Sequence, residues 1–325
     1  MAPDDQDDAL PHAAGTHRTA PPEGAAGDGE TRCGFVALIG APNAGKSTLV
    51  NALVGAKVSI VTHKVQTTRA LVRGIALVGP AQIVFVDTPG IFRPKRRLDR
   101  AMVSTAWGGA KDADLVAVLV DSRKGIDEEV EAILASLADV HLPKVLILTK
   151  IDVVKRDSLL ALTQAVNEKA RFERTFMVSA VTGSGVEDVL TYFAGAVQPG
   201  PWLYPEDQIS DLPMRQLAAE ITREKMMLRL HEELPYASTV ETEQWKDVKG
   251  GAVRIEQTIF VERDSQKKIV LGKGGQTIKA ISQGAREEIA AILERPVHLF
   301  LFVKVRDSWS DDPERYREMG LEFPE

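Results

Sequence analysis

Residues 40–48 read GAPNAGKST, which fits G-x-x-x-x-G-K-[ST], and the flanking residues decide the fold. The apolar run FVALIG (35–40) leads in and the amphipathic KSTLVNALVG (46–55) leads out. The stretch is therefore a strand-to-helix turn, the context this pattern requires. Backbone amides in such a loop close around phosphate oxygens, and the dipole of the helix it opens favours the same charge. Gly40, Ala41, Pro42, Asn43, Ala44, Gly45, Lys46, Ser47 and Thr48 are the candidate phosphate cradle. Lys46 is expected to reach the β- and γ-phosphates, and the Ser47 hydroxyl to ligate Mg2+.

Outward from that loop, QIVFVDTPG (82–90), LVAVLVD (115–121), KVLILTK (144–150) and TFMVSA (175–180) are further short apolar runs. They alternate with helical stretches such as DEEVEAILASLADV (127–140). The alternation predicts an α/β unit, a mostly parallel sheet with helices on both faces and ligands at the carboxyl ends of its strands. The motifs fall at those ends. In Asp87-Thr88-Pro89-Gly90, Asp87 approaches Mg2+ and the Gly90 amide the γ-phosphate. In Thr149-Lys150-Ile151-Asp152, the carboxylate accepts from guanine N1–H and the 2-amino group. In Val178-Ser179-Ala180, the Ala180 amide faces the guanine O6. Together these predict a guanine-nucleotide site of the Ras-like P-loop type.

Near residue 198 the pattern stops. QPGPWLYPEDQISDLP (198–213) holds four prolines and reads as an extended connector. A helix over 213–233, strands near 236–246 and 252–262, the loop LGKGG, a helix over 276–293 and the strand PVHLFLFVKV (296–305) follow. That is a smaller α+β unit in the order α-β-β-α-α-β. Gly272-Lys273-Gly274-Gly275 lies between two helices, with no GKS to close it. Helix-GxxG-helix is the signature of a KH domain, whose loop clamps the backbone of about four single-stranded nucleotides, and the order α-β-β-α-α-β matches the type II form. Between 263 and 286 six basic residues, Lys268, Lys273 and Lys279 among them, face only Asp264, a local charge of +5.

The remaining composition mainly excludes. A chain of 325 residues holds two domains, and its single cysteine, Cys33, rules out an internal disulfide and a cysteine-based zinc site. No apolar run approaches a membrane span and the start lacks a signal pattern, so a soluble cytoplasmic protein is expected. Residues 1–32 carry seven acids against two arginines, −5 of a net charge of −6, and read as a disordered acidic extension. The expected division is 1–32 extension, 33–198 nucleotide domain, 199–212 linker and 213–325 RNA-binding domain.

With these motifs in place the chain resembles the translation-factor class of small GTPases. KVSIVTHK (57–64) and QTTR (66–69) narrow the resemblance to the bacterial Era family. It spans about 34–312 and includes AAEITREKMMLRLHEELPYASTVE (218–241), VERDSQKKIVLGKGG (261–275) and RPVHLFLFVKVRDSW (295–309). It implies a switch I of Gln66, Thr67, Thr68, Arg69 and Ala70. Thr67 or Thr68 would give Mg2+ its second hydroxyl, with Thr68 favoured by its place before Arg69. It also implies catalytic roles for Lys46, Thr68 and Asn43, the last holding an activating K+. The implied function is a GTP-hydrolysing switch that binds the 3′ end of 16S rRNA and assists assembly of the 30S subunit. Peripheral association with the inner membrane is implied as well. A monomer is expected, since nothing in the residues demands more. Two positions depart from the general pattern. Thr149 stands where Asn is usual, and Ile91 follows DTPG where a glutamine would orient water. Other readings are an RNA chaperone with a structural nucleotide site and a tRNA-modifying GTPase. The latter lacks its cofactor domain and C-terminal cysteine here, and the single GKS excludes a tandem GTPase.

Overall fold

The computed structural model describes residues 30–231, 234–307, 313–318 and 320–324. The expected acidic extension therefore lies almost wholly outside the described residues. The first unit runs β1 (Arg32–Gly40), α1 (Lys46–Val54), β2 (Val72–Val78), β3 (Ala81–Asp87), α2 (Arg97–Lys111) and β4 (Leu115–Asp121). It continues through α3 (Glu128–Ser136), β5 (Lys144–Thr149), α4 (Arg156–Lys169), β6 (Arg174–Val178) and α5 (Val186–Ala196). The sheet order is β2-β3-β1-β4-β5-β6, and every neighbouring pair is parallel except β2–β3. β3 and β4 are buried along their whole length, so they read as continuous apolar runs without alternation. Leu49, Val50 and Leu53 of α1 and Phe193 of α5 cover one face. Ala106 of α2, Ile133 of α3 and Leu159 of α4 cover the other. Parallel pairing brings Gly40, Asp87, Thr149 and Val178 to one edge.

β2 is an addition to the strands read from sequence. Arg73 and Gly74 interrupt its apolar run, and a tight Gly79-Pro80 turn returns it antiparallel onto β3. The proline-rich connector is also not free. The buried Gln82 accepts from the amides of Leu203 and Tyr204 at 2.9 and 3.0 Å and donates to the Tyr204 carbonyl at 2.8 Å. Arg73 pairs with Asp211 at 2.7 Å.

The second unit has the expected order: α6 (Met214–Arg229), β7 (Ser238–Asp247), β8 (Val253–Val261), α7 (Asp264–Leu271), α8 (Gln276–Leu293) and β9 (Val297–Val305). β7 and β8 are antiparallel, and β8 and β9 parallel. The helix expected over 213–233 ends at Arg229. Leu230 turns extended with its amide on the Met226 carbonyl and its side chain in the core, and 232–233 lie outside the described residues. A short α9 (Pro313–Glu318), absent from the sequence reading, carries Tyr316 back onto α2. There Tyr316 and Leu321 are buried with Leu98, Ala101 and Met102.

Phe193 is 1% exposed and meets Phe85 edge-on, ring centroids 5.8 Å apart. Phe193→Ala is expected to cost about 3–5 kcal/mol. The loss should appear as a lower urea midpoint for the first unit, and an unchanged midpoint would contradict this packing.

Candidate functional site

The phosphate loop is shaped by two left-handed residues, Asn43 (φ 63°) and Gly45 (φ 92°), just before α1 begins. Lys46 is buried and donates from Nζ to the carbonyls of Gly40 and Ala41, both at 3.1 Å. Burial pushes its ammonium down to about 8, against the opposing charge of Asp87. Beside it three oxygens converge. The Ser47 and Thr68 hydroxyls lie 2.8 Å apart, and Thr68 Oγ1 lies 3.5 Å from Asp87 Oδ2. Thr67 points elsewhere, to Thr62 Oγ1 at 2.6 Å and the Lys64 carbonyl at 2.7 Å. Asp87 is 0% exposed, and its Oδ1 is buried with no hydrogen-bond partner among the described residues. Burial pushes its carboxyl up, against the hydroxyls of Ser47 and Ser59 and the charge of Lys46. A dry carboxylate with one unspent oxygen beside two hydroxyls is a donor set for a small divalent cation such as Mg2+.

At the base end, Thr149 Oγ1 donates to the Ala44 carbonyl at 2.7 Å and lies 3.2 Å from that of Val120. Lys150 (φ 59°) bridges the Asn43 carbonyl and Asp121 Oδ2, both at 2.6 Å. Asp152 stands exposed in the short turn Ile151–Val153. The Ser179 amide donates to the Ser184 carbonyl, closing the loop that presents Ala180. Thr88 Oγ1 is anchored on the Leu38 carbonyl at 2.6 Å.

Two residues here escaped the sequence reading. Ser59 Oγ donates to Asp87 Oδ2 at 2.7 Å, and Asn51 of α1 holds Ser59 by its amide and carbonyl. The one available signal was a polar Asn51 inside the stripe KSTLVNALVG.

The segment from Lys57 to Arg69 belongs to both units. Arg69 is 4% exposed and donates to the carbonyls of Ser238, Pro235 and Tyr236 at 2.9, 3.0 and 3.4 Å. Burial pushes its guanidinium down to about 9, which leaves it charged at neutral pH. Arg223 of α6 donates to the Thr67 carbonyl. Glu224 of α6 accepts from the Val61 amide at 2.8 Å and pairs with Lys57 at 2.6 Å. Lys57 also pairs with Glu288 of α8, the helix that follows the second glycine loop.

In that loop Gly272 (φ 72°) could carry no side chain, since a Cβ would collide with the side chain of Thr277. Gly274 (φ 60°) faces open space. Lys268, Lys273 and Lys279 are exposed around it, and Gly275 opens α8. Val270 is in the core with Leu271 and Ile278 against it, while Ile269 points out, 55% exposed. No described helix is long and apolar enough to cross a membrane.

Comparison with known proteins agrees with both halves. A family model described as 50S ribosome-binding GTPase matches residues 35–150, and a KH domain model matches 233–310. The GTPase Era of Rhizobium meliloti (strain 1021) is 72% identical over 300 residues, 92% of this chain and 96% of that protein. The GTPase Era of Brucella suis biovar 1 is 69% identical over 306 residues, 94% and 98% of the two. The chain belongs to the Era family. Among solved structures, Era in complex with MgGDPNP and nucleotides 1506–1542 of 16S ribosomal RNA superposes with a TM-score of 0.84. It shares 36% identity and covers 89% of this chain and 99% of its own. A point variant of Aquifex aeolicus Era bound to GDP·AlF4− gives the same TM-score, identity and coverage.

The protein is a GTPase, and the Era-family frame gives its two unusual positions a physical account. Thr149 ties the base strand to the phosphate loop through its hydroxyl, so no side-chain amide is needed there for that link. Ile91 is buried in the core cluster that holds Ala41 and Ala106, and its aliphatic side chain has no group with which to orient a water.

The depressed Lys46 is expected to make nucleotide binding pH-dependent. In the free protein its pKa is depressed to about 8 from 10.5, so charged Lys46 is a folding cost that eases as pH rises across that window. A bound polyphosphate favours the ammonium, so binding above pH 8 takes up a proton. GDP affinity is expected to fall between pH 8 and 9, by at most about tenfold per unit. Calorimetric titration checks this, and a flat profile would contradict it.

Proposed function

We propose that the chain is a GTP-driven switch that binds the 3′ end of 16S rRNA through residues 213–325 and assists assembly of the 30S subunit. The observation that carries this reading is the adjacency of Thr68 and Arg69. Thr68 faces Ser47 and Asp87, while the next residue is buried among three backbone carbonyls of the second unit. Whatever fixes Thr68 also fixes the seat of α6 and β7. The Era complex holding both MgGDPNP and 16S rRNA supports carrying the RNA partner to this chain.

In this reading Gly40 to Thr48 and Asp87 to Gly90 cradle the phosphates, while Thr149 to Asp152 and Val178 to Ala180 read guanine. Ser47 and Thr68 would hold Mg2+, with Asp87 as the nearby carboxylate. Mg2+, when bound, neutralises charge on the β- and γ-phosphates. Lys46 meets the charge that develops between them. Ile91 orients no water, so intrinsic hydrolysis is slow. Asn43, whose amide nitrogen donates to the His63 carbonyl at 2.8 Å, ties the loop to the segment that leads into switch I, and its amide oxygen would hold an activating K+. Turnover should be several-fold faster in K+ than in Na+, and Asn43→Ala should erase the difference.

Gly272 to Gly275 clamp the RNA backbone, with Lys268, Lys273 and Lys279 on its phosphates. Peripheral membrane binding would draw on the same lysines, and co-sedimentation with anionic vesicles tests it. The protein works as a monomer in this scheme.

GTP turnover with an RNA matching the 3′ end of 16S rRNA tests the whole. Stimulation is expected, and Gly274→Asp should weaken RNA binding by at least about tenfold while leaving the basal rate unchanged. Single turnover followed by a stably bound product, insensitive to RNA, would instead favour a chaperone with a structural nucleotide site.

A further inference from the structure

Asp87 lies at the carboxyl end of β3 with no access to solvent, and a carboxylate there must be compensated by fixed donors. Its Oδ2 has two hydrogen-bonded hydroxyl neighbours at unequal distances, Ser59 at 2.7 Å and Thr68 at 3.5 Å, and the Ser47 hydroxyl also favours the charged carboxylate. Oδ1 is left with no partner among the described residues. Of the two bonds to Oδ2, the shorter, from Ser59, is the stronger constraint on how the carboxylate is turned.

Ser59 is itself held rigidly. It is 4% exposed, and Asn51 Oδ1 accepts from its amide at 2.9 Å while Asn51 Nδ2 donates to its carbonyl at 2.8 Å. The same Asn51 oxygen takes the amide of Val58, whose side chain is in the core. Asn51 lies one turn after Ser47 on α1, so both project from one face of that helix. A frame thus runs from the helix that carries Ser47, through Asn51 and Ser59, to Asp87. On the other side of the segment, Lys57 is ion-paired with Glu224 and Glu288. Thr68 has no comparable frame among the described residues. Its hydroxyl meets Ser47 and Asp87, the two groups it would leave whenever switch I rearranges.

We infer that Ser59, fixed by Asn51, is a positioning residue that keeps Asp87 aimed at the Mg2+ site whether or not Thr68 is in place. This rests on the reading of Asp87 as the carboxylate behind Mg2+. The effect should be largest in the GDP state, where the hydroxyl of Thr68 is not required.

The test follows release of a fluorescent GDP from wild type and from Ser59→Ala, first in EDTA and then across a Mg2+ titration. Removing an outer partner of a metal site typically weakens the metal by about 10–100-fold. Ser59→Ala is therefore expected to need at least about tenfold more Mg2+ to slow GDP release half-maximally. Its GDP affinity in EDTA should stay close to wild type while its melting temperature falls by a few degrees, as expected for a buried carboxylate that loses one donor, and Ser59→Thr should restore most of the Mg2+ response. A half-maximal concentration within about twofold of wild type overturns the inference, being well short of that loss. Equal loss of GDP affinity in EDTA and in Mg2+ also overturns it, since that is the signature of a purely structural serine. Wild type whose GDP release ignores Mg2+ overturns the reading of Asp87 itself, and the inference falls with it.

Discussion

A carboxylate wholly removed from water, Asp87, sits where β3 ends, and the parts of the molecule that matter for function are arranged around its compensation. Burying a charge is costly unless donors and counter-charge are built in. Here they come from different stretches of the chain: Lys46 and Ser47 from the start of α1, and Ser59 and Thr68 from the segment before β2. The parallel order β3-β1-β4 makes this possible, because it brings the ends of those strands side by side. One segment then faces two ways. Residues 57–69 close over Asp87 from one side and bond to α6 and β7 from the other.

The hydrogen bonds of that second contact run mostly to backbone groups. Arg69 and Arg223 reach backbone carbonyls, and Glu224 takes a backbone amide and a lysine. Buried ionic contacts of this kind fix geometry more than they add stability, since desolvation offsets most of the attraction. Breaking one partner alone is severe, so the contacts tend to be made or lost together. The connector reinforces the arrangement. Gln82 and Arg73 fasten it along the β2–β3 edge.

Much of this was legible in the sequence, for identifiable reasons. The phosphate loop, DTPG, TKID and GKGG are local: glycine, proline and short polar residues at strand ends announce themselves. The order α-β-β-α-α-β followed from periodicity. What escaped depends on tertiary partners. β2 is an edge strand whose run is broken by Arg73 and Gly74, and only its pairing with β3 makes it a strand. The end of α6 at Arg229 is set by Leu230 entering the core, which no cap residue signals. α9 exists because Tyr316 finds α2, far away in sequence. Asn51 and Ser59 were invisible as functional residues because their roles are bonds to one another and to Asp87.

Coupling of the nucleotide to the second glycine loop through residues 57–69 must be reciprocal, and such coupling is typically about 5–150-fold. The direct measurement is the affinity of a labelled single-stranded RNA matching the 3′ end of 16S rRNA, for protein loaded with a non-hydrolysable GTP analogue and for protein loaded with GDP. The account predicts tighter binding in the GTP state, and a difference that collapses in Arg69→Ala. Equal affinity in the two states, for protein that binds the RNA through an intact glycine loop, would contradict it.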